Sequence, residues 1–446
     1  MKKRLIISAL VLVAGLLFSC SKNSPYFGDI AFDDGSKPVP AARTDRTPTQ
    51  ESRRVLILYS AGYNSLAGYL GEDIGDLTMG FLPDTSRNAD IMLVISRHTS
   101  EYRASYTTPM PTYLIRLTRE EGKEAQMDTI KVWGPEYAST SASFMAEALE
   151  YVQEKFPAAG YGMIFSSHGS GWLPMKYYSS PSTYDPNYNG SYDSIHLWNS
   201  SRRLRMSPPI PSYPAVKSLG QDAGTPYAEL ELKDMVQAIP IHLDYFIVDA
   251  CLMGCVEFAY AVKDVCDVVA FSQTEIVADG FNYTTLTSHL LDKPEPDVRA
   301  VCMDYFNQYD AQVGQARSAT ISMINCHELD ALADVCASLF DKYRSQIYNL
   351  DSHDVQRYFR ASRYFFFDLQ DILLHCGITQ QESAALQSAL DNCVLYKAAT
   401  PQFFGIDIDN YSGLSMYLPA GNSSTPFLNK YYRENISWNT RTGLVQ

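Results

Sequence analysis

Beyond its first twenty residues the chain has no run of 18 apolar side chains, so no later segment is long enough to cross a bilayer as a helix. Its 9 cysteines and 8 histidines include no Cys-x-x-Cys pair and no finger-like spacing, which argues against structural zinc. There is no internal repeat. Positive charge is scarce: 36 Lys and Arg stand against 50 Asp and Glu, a formal charge of −14. So acidic a surface repels phosphate backbones, which argues against nucleic acid as a partner and favours basic peptides. What is present is a chain of 446 residues, 46% hydrophobic and 12% aromatic, with 31 Tyr. That length suits one large unit or two to three ordinary domains with tails, and the composition excludes disorder, collagen and coiled coil.

The N-terminus carries the clearest local signal. Lys2, Lys3 and Arg4 precede a mainly apolar stretch, Leu5 to Phe18, too short and too N-terminal for a membrane span. It ends in Leu17-Phe18-Ser19-Cys20, similar to a bacterial lipobox, in which Cys20 is lipidated and becomes the new N-terminus. The alternative is an ordinary secretory signal with a chance cysteine. Either way residues 1–19 read as a leader for export. Its loss leaves 33 basic side chains against 50 acidic ones, a charge of −17. Lipidation would place the protein on the cell envelope, at the outer membrane, facing the periplasm or the exterior. Residues 20–52, rich in Ser, Pro, Asp, Thr and Arg, read as a tether. The remaining eight cysteines lie in apolar segments and read mostly as buried small hydrophobes, although some could pair in an oxidising compartment.

Short apolar runs at 54–59, 90–96, 113–117, 162–166, 245–248 and 267–271 predict strands buried on both faces. Between them, apolar residues at 144, 145, 148, 149, 152 and 156 predict a helix capped within 139–143. Further helices are expected over 227–238 and from about 254 to 262. This alternation predicts an α/β sandwich with a mostly parallel central sheet flanked by helices. Residues 53–284 read as the core, interrupted by a long polar loop at 174–225. Residues 285–446 read as a mainly helical C-terminal region, with helices at 296–308, 329–349 and 380–395, that returns to the sheet through a closing strand at 413–419.

Two strands stop at reactive side chains. The strand 162–166 runs into Ser167-His168-Gly169-Ser170-Gly171-Trp172, and 245–248 runs into Asp249-Ala250-Cys251-Leu252-Met253-Gly254. In parallel α/β sheets, sites form beyond the carboxyl ends of strands. If the two strands are neighbours, His168 and Cys251 leave the same edge, and a thiol and an imidazole there can make a Cys–His protease site. A His-Gly pair or a cysteine after a strand is weak alone; the two blocks in this order are stronger.

These blocks, with Ser272-Gln273, Ser412-Gly413-Leu414-Ser415-Met416-Tyr417-Leu418-Pro419 and Trp438-Asn439, resemble the clostripain family of cysteine peptidases, in the caspase-like clan. The likeness runs from about residue 53 to the C-terminus. It implies a caspase-like sheet, a His168/Cys251 dyad, and cleavage of protein or peptide substrates after Arg or Lys. Cys251 would be the nucleophile, activated by a helix N-terminus near Gly254 and by His168, and His168 would protonate the leaving amine. The backbone N–H groups of Gly169 and Cys251 would hold the oxyanion. Cys255, four residues on, is the alternative nucleophile. Asp249 matches the family's specificity acid, because a guanidinium needs a buried carboxylate; otherwise it is a strand-end turn residue. Ser272 and Asp279 belong to the other pocket wall. There Thr274 stands where the family has an acid, and Phe281 where it has Trp.

The resemblance also implies self-activation by cleavage after a basic residue between the two blocks. The 82 residues between His168 and Cys251 include Lys176, Arg202, Arg203, Arg205 and Lys217. The cluster Arg202, Arg203, Arg205 is the expected cut site, against a merely solvated basic stretch. No cofactor is required. Calcium is left open by Asp407-x-Asp409 and Asp73-x-x-Asp76, although neither has the spacing of a calcium loop. The competing readings are an inactive surface lipoprotein of the same fold that binds peptide or glycan, and a transpeptidase in which an amine replaces water.

Overall fold

The computed structural model describes residues 53–84, 90–99, 108–175, 177, 220–223, 228–360, 365–419 and 426–446. Nine strands form one sheet: β1 (Arg54–Gly62), β2 (Ile91–His98), β3 (Thr112–Thr118), β4 (Gln126–Trp133), β5 (Gly160–Ser166), β6 (Leu243–Asp249), β7 (Cys266–Phe271), β8 (Thr320–Asn325) and β9 (Val394–Ala399). Their order is β9-β8-β7-β6-β5-β1-β2-β3-β4. The five central strands, β7 to β2, run parallel, while β3 and β4 at one end and β8 and β9 at the other are antiparallel.

Alternation along each central strand divides the core in two. Val55, Ile57 and Tyr59 of β1 face one layer, and Leu56 and Leu58 face the other. Such strands are apolar throughout because both faces are covered. The second layer is closed by α1 (Ala67–Leu77), α5 (Tyr283–Leu291) and α6 (Val298–Asp310), through Ile74, Leu286 and Val301 among others. The first layer is closed by α2 (Ala142–Lys155), α3 (Leu232–Gln237), α4 (Val256–Val262), α7 (Leu329–Tyr348), α8 (Leu369–His375), α9 (Gln380–Cys393), α10 (Pro426–Asn435) and α11 (Ser437–Thr442). Helix α2 buries Phe144, Met145, Ala148, Leu149 and Val152, and Ser141 caps it by accepting the Phe144 N–H at 3.3 Å.

The C-terminal region is mainly helical, with α6, α7 and α9 at the expected places, and it also supplies β8 and β9. The apolar run at 394–399 follows α9 without a break, so its residues continue the helical pattern in sequence while the backbone turns extended at Val394. The stretch 413–419 does not join the large sheet. Only Ser415–Met416 is strand, paired with Phe367–Asp368, and Ser415 also bridges Cys255. Strand β4 escaped the sequence reading because it is an exposed edge, with polar Asp128 and Lys131 where a buried strand would be apolar. The eight cysteines from Cys251 to Cys393 are buried and form no disulfide with one another.

The return of the long loop is pinned by an ion pair. Arg97 Nη1 lies 2.7 Å from Asp222 Oδ2, both side chains wholly buried, and Asp222 also accepts from the Ser139 hydroxyl at 2.8 Å. Removing one member of such a pair strands the other charge. Arg97→Met is therefore expected to lower stability by about 3–5 kcal/mol in urea unfolding; an unchanged midpoint would show that the pair does not anchor the loop.

Candidate active site

Strands β5 and β6 are adjacent and parallel, with Ser166 opposite Asp249. Contact continues past the strand ends, where the Ser167 N–H donates to the Asp249 carbonyl at 3.3 Å and the Ser167 hydroxyl to the Ala61 carbonyl at 2.8 Å. His168 and Cys251 thus leave the same carboxyl edge of the sheet. His168 is 1% exposed. Its Nε2 stands 3.0 Å from the Ser65 hydroxyl, and its carbonyl accepts the Gly220 N–H at 3.0 Å. Gly169 lies against the Cys251 backbone so closely that a Cβ would sit 2.8 Å from the Cys251 nitrogen, a distance side chains do not tolerate. Trp172 then anchors the block: its Nε1–H donates to the Phe365 carbonyl at 3.1 Å, and its ring packs on Tyr417 and Tyr432.

Cys251 is 7% exposed. The Ile276 N–H donates to its sulfur at 3.4 Å, and its S–H faces the Ile276 carbonyl at 3.8 Å. Burial, reinforced by the Glu275 carboxylate, pushes the thiol up to about 12 against the Ile276 bond and Arg360, so it is protonated at neutral pH. Helix α4 starts at Val256 with Cys255 as its N-cap, close to the N-terminus expected near Gly254, and burial is the largest influence on the thiol. The segment over the sulfur is held in turn: Glu275 receives Arg360 through two bonds, at 2.5 and 2.8 Å. Just after the thiol, Leu252 adopts φ +63°, a left-handed strain of the order of 1–2 kcal/mol for a side chain of this kind. Cys255 is wholly buried, with its thiol pushed well up by burial.

Asp249 is buried beside these groups. Tyr283 donates to its Oδ2 at 2.8 Å and Ser166 at 3.1 Å. Burial still raises its carboxyl to about 6 against those bonds. Gly280, at φ +56°, comes so near that a Cβ there would stand 2.8 Å from Asp249 Oδ2. Asp279 lies in the adjoining turn and is exposed. Ser272 is buried behind the wall, bonded to Thr320 at 2.9 Å, so its hydroxyl faces neighbouring side chains of the protein. The Thr274 hydroxyl is similarly bonded to Thr320 at 2.9 Å. Gln273 donates to the Gly413 carbonyl at 2.7 Å, which ties the Ser-Gln pair to the tail motif at 412–419.

Cys20, Lys176, Arg202, Arg203, Arg205 and Lys217 lie outside the described residues. Asp407 and Asp409 line a cleft with Asp354 and Asp371, away from the thiol, and Asp73 and Asp76 lie on or beside the buried face of α1. Among the described residues no three His, Cys, Asp or Glu side chains are grouped to hold a metal ion, and no helix is long and apolar enough to cross a membrane. Sequence reasoning did not bring Ser65, Tyr283 or Arg360 to the site, and it named Asp73 only for calcium and Glu275 only within the wall segment 272–280. Asp73 carries a further signal, as an acid within the apolar stripe Leu70, Ile74, Leu77.

No curated protein matches the chain. Among solved structures it is similar to an inactive zymogen of a C11 protease from Parabacteroides distasonis, at 26% identity over 89% of this chain and 99% of that one, with a TM-score of 0.68. A secreted C11 cysteine protease from Bacteroides thetaiotaomicron in complex with an irreversible peptide inhibitor shares the fold, at 21% identity over 88% and 99% of the two chains, with a TM-score of 0.66. The family model agrees over most of the length, matching residues 58–210 and 182–442, and on that match the chain belongs to the clostripain family of cysteine peptidases.

Proposed function

We propose that this peptidase is an exported endopeptidase that cuts after Arg or Lys and is described here in its latent form. Cys251 attacks the scissile carbonyl, the thioester forms as His168 gives a proton to the leaving amine, and water then releases the acid. The N–H groups of Gly169 and Cys251 hold the oxyanion. Asp249, with Asp279 at the rim and Ser272 in the supporting wall, receives the basic side chain. The observation that carries the reading is the exit of His168 and Cys251 from adjacent parallel strands, with a buried carboxylate two residues before the thiol. Latency is supported by the Ile276 segment over the sulfur. Cleavage after Arg202, Arg203 or Arg205 would release it. Cys20 carries the lipid that holds the enzyme to the cell envelope.

The test is hydrolysis of fluorogenic peptides ending in Arg, Lys, Asp, Asn or Leu by protein starting at Ser21, beside Asp249→Asn. Cleavage after Arg or Lys is expected, accompanied by a cut in the 202–205 cluster on a denaturing gel. Asp249→Asn should lose on the order of 100-fold on those substrates, the cost of removing a charge-assisted partner. Cleavage after another residue would overturn the role of Asp249, and an active chain that stays intact would overturn self-activation. Inactivity even after the loop is cut would favour the binding lipoprotein, and amine-dependent products would favour transpeptidation. The chemistry needs no cofactor, so a chelator should leave the rate unchanged; loss of activity would assign a calcium requirement.

A further inference from the structure

Asp73 has no part in the chemistry so far, yet it is 5% exposed on α1, with an Oδ2 that is wholly buried and has no hydrogen-bond partner. A buried polar atom left unpaired costs folding free energy. A second acid nearby adds repulsion. The charges that act on Asp73 are carboxylates: Asp249 most strongly, then Asp76, Glu72 and Asp279. Tyr283 of α5 and Tyr309 of α6 face the same two acids. Tyr283 and Ser166 satisfy Asp249, whereas the buried Asp73 Oδ2 has no such donor.

We propose that Asp73 is a second carboxylate of the basic-residue pocket, sharing the substrate's cationic side chain with Asp249. The inference rests on the reading that the enzyme cuts after basic residues, and deepens it. A guanidinium carries five N–H donors in a planar fork, so acids supplied by two elements, the end of β6 and the side of α1, can engage it from two directions. An ammonium is a point charge and gains less from the second acid. Arg is therefore preferred to Lys. In the empty pocket Asp73 keeps its proton at neutral pH, because burial and Asp249 raise its carboxyl to about 9. When the cation binds, that proton leaves to solvent and the carboxylate pairs with the guanidinium. Binding is then tighter as pH rises from about 6 towards 9, since less work is needed to remove the proton.

The test compares kcat and KM for peptides ending in Arg, Lys and citrulline, a neutral isostere of Arg, across pH 6–9. It uses activated protein and its Asp73→Asn, Asp73→Ser and Asp249→Asn variants. With Asp73 removed, the preference for Arg over citrulline should fall by on the order of 10- to 100-fold, mainly through KM. The Arg-over-Lys preference should narrow, and the fall of KM with pH should flatten. The thermal midpoint should hold or rise, because an unpaired buried carboxyl is gone. The inference is overturned if both Asp73 variants keep the wild-type preferences and pH profile while Asp249→Asn loses them. It is also overturned if they slow all three substrates alike with a lowered midpoint, which marks a structural role. A wild-type enzyme that treats Arg and citrulline equally would instead sink the basic-residue reading, and this inference with it.

Discussion

Alanine at Cys251 is expected to remove at least about 10⁴-fold of kcat/KM on any peptide the activated enzyme cuts, and alanine at His168 nearly as much. In the proposed mechanism the two groups act as one unit: without the thiol there is nothing for the imidazole to assist, and without the imidazole the amine must leave unprotonated. The double variant should therefore be no worse than the poorer single one. Additive losses would mean that the two side chains serve separate steps. Cys255→Ser provides the control. That thiol is wholly buried at the start of α4, so its replacement should leave turnover near wild type. Activity that survives Cys251→Ala but not Cys255→Ser would transfer the nucleophile four residues along the chain. Folding of each variant is checked by the urea midpoint, which separates lost chemistry from lost structure.

The parts of the molecule that were legible in sequence are those where one residue class repeats under one constraint. Five central strands announce themselves because both faces are buried, as in Leu56-Ile57-Leu58. The edges obey other rules: β4 is mostly exposed, and β9 is a helix's apolar pattern continued in another backbone conformation. The site divides in the same way. His168, Asp249 and Cys251 follow apolar runs directly, so the sheet itself says where they emerge. Ser65, Asp73 and Arg360 reach the same place from α1, its leading turn and a distant loop, and no local spacing encodes those meetings. Arg360 is 85 residues from its partner Glu275. Motif matching also passed over Leu252, whose left-handed backbone shows only in the coordinates. Nor did the sequence disclose that the thiol is covered. Burial decides the sign of its pKa shift.

That sign gives the second large expectation, which concerns the intact chain. Only the thiolate reacts with iodoacetamide. An ordinary thiol near 8.5 is ionised at the level of a few per cent at pH 7, whereas one pushed up to about 12 is ionised at roughly one part in 10⁵. Alkylation of Cys251 in the intact chain should accordingly be about 10³-fold slower than that of a free thiol, and its rate should climb tenfold per pH unit well past pH 9. Mass spectrometry of the peptide bearing Cys251 separates it from Cys302, which burial also raises to about 12. A cut in the 202–205 cluster should open the proposed latch. With Ile276 withdrawn and His168 free to share the proton, the rate at pH 7 should rise by about 10³-fold or more and level off at a much lower pH. Glu275→Gln offers a release without a cut, because it removes both the carboxylate that raises the thiol and the ion pair with Arg360 that holds the segment over it. It should raise the alkylation rate of the intact chain partway. Rapid alkylation of the uncut wild-type chain at pH 7 would mean that the thiol is already exposed and ionised. Latency would then have to lie in the substrate pocket rather than over the sulfur.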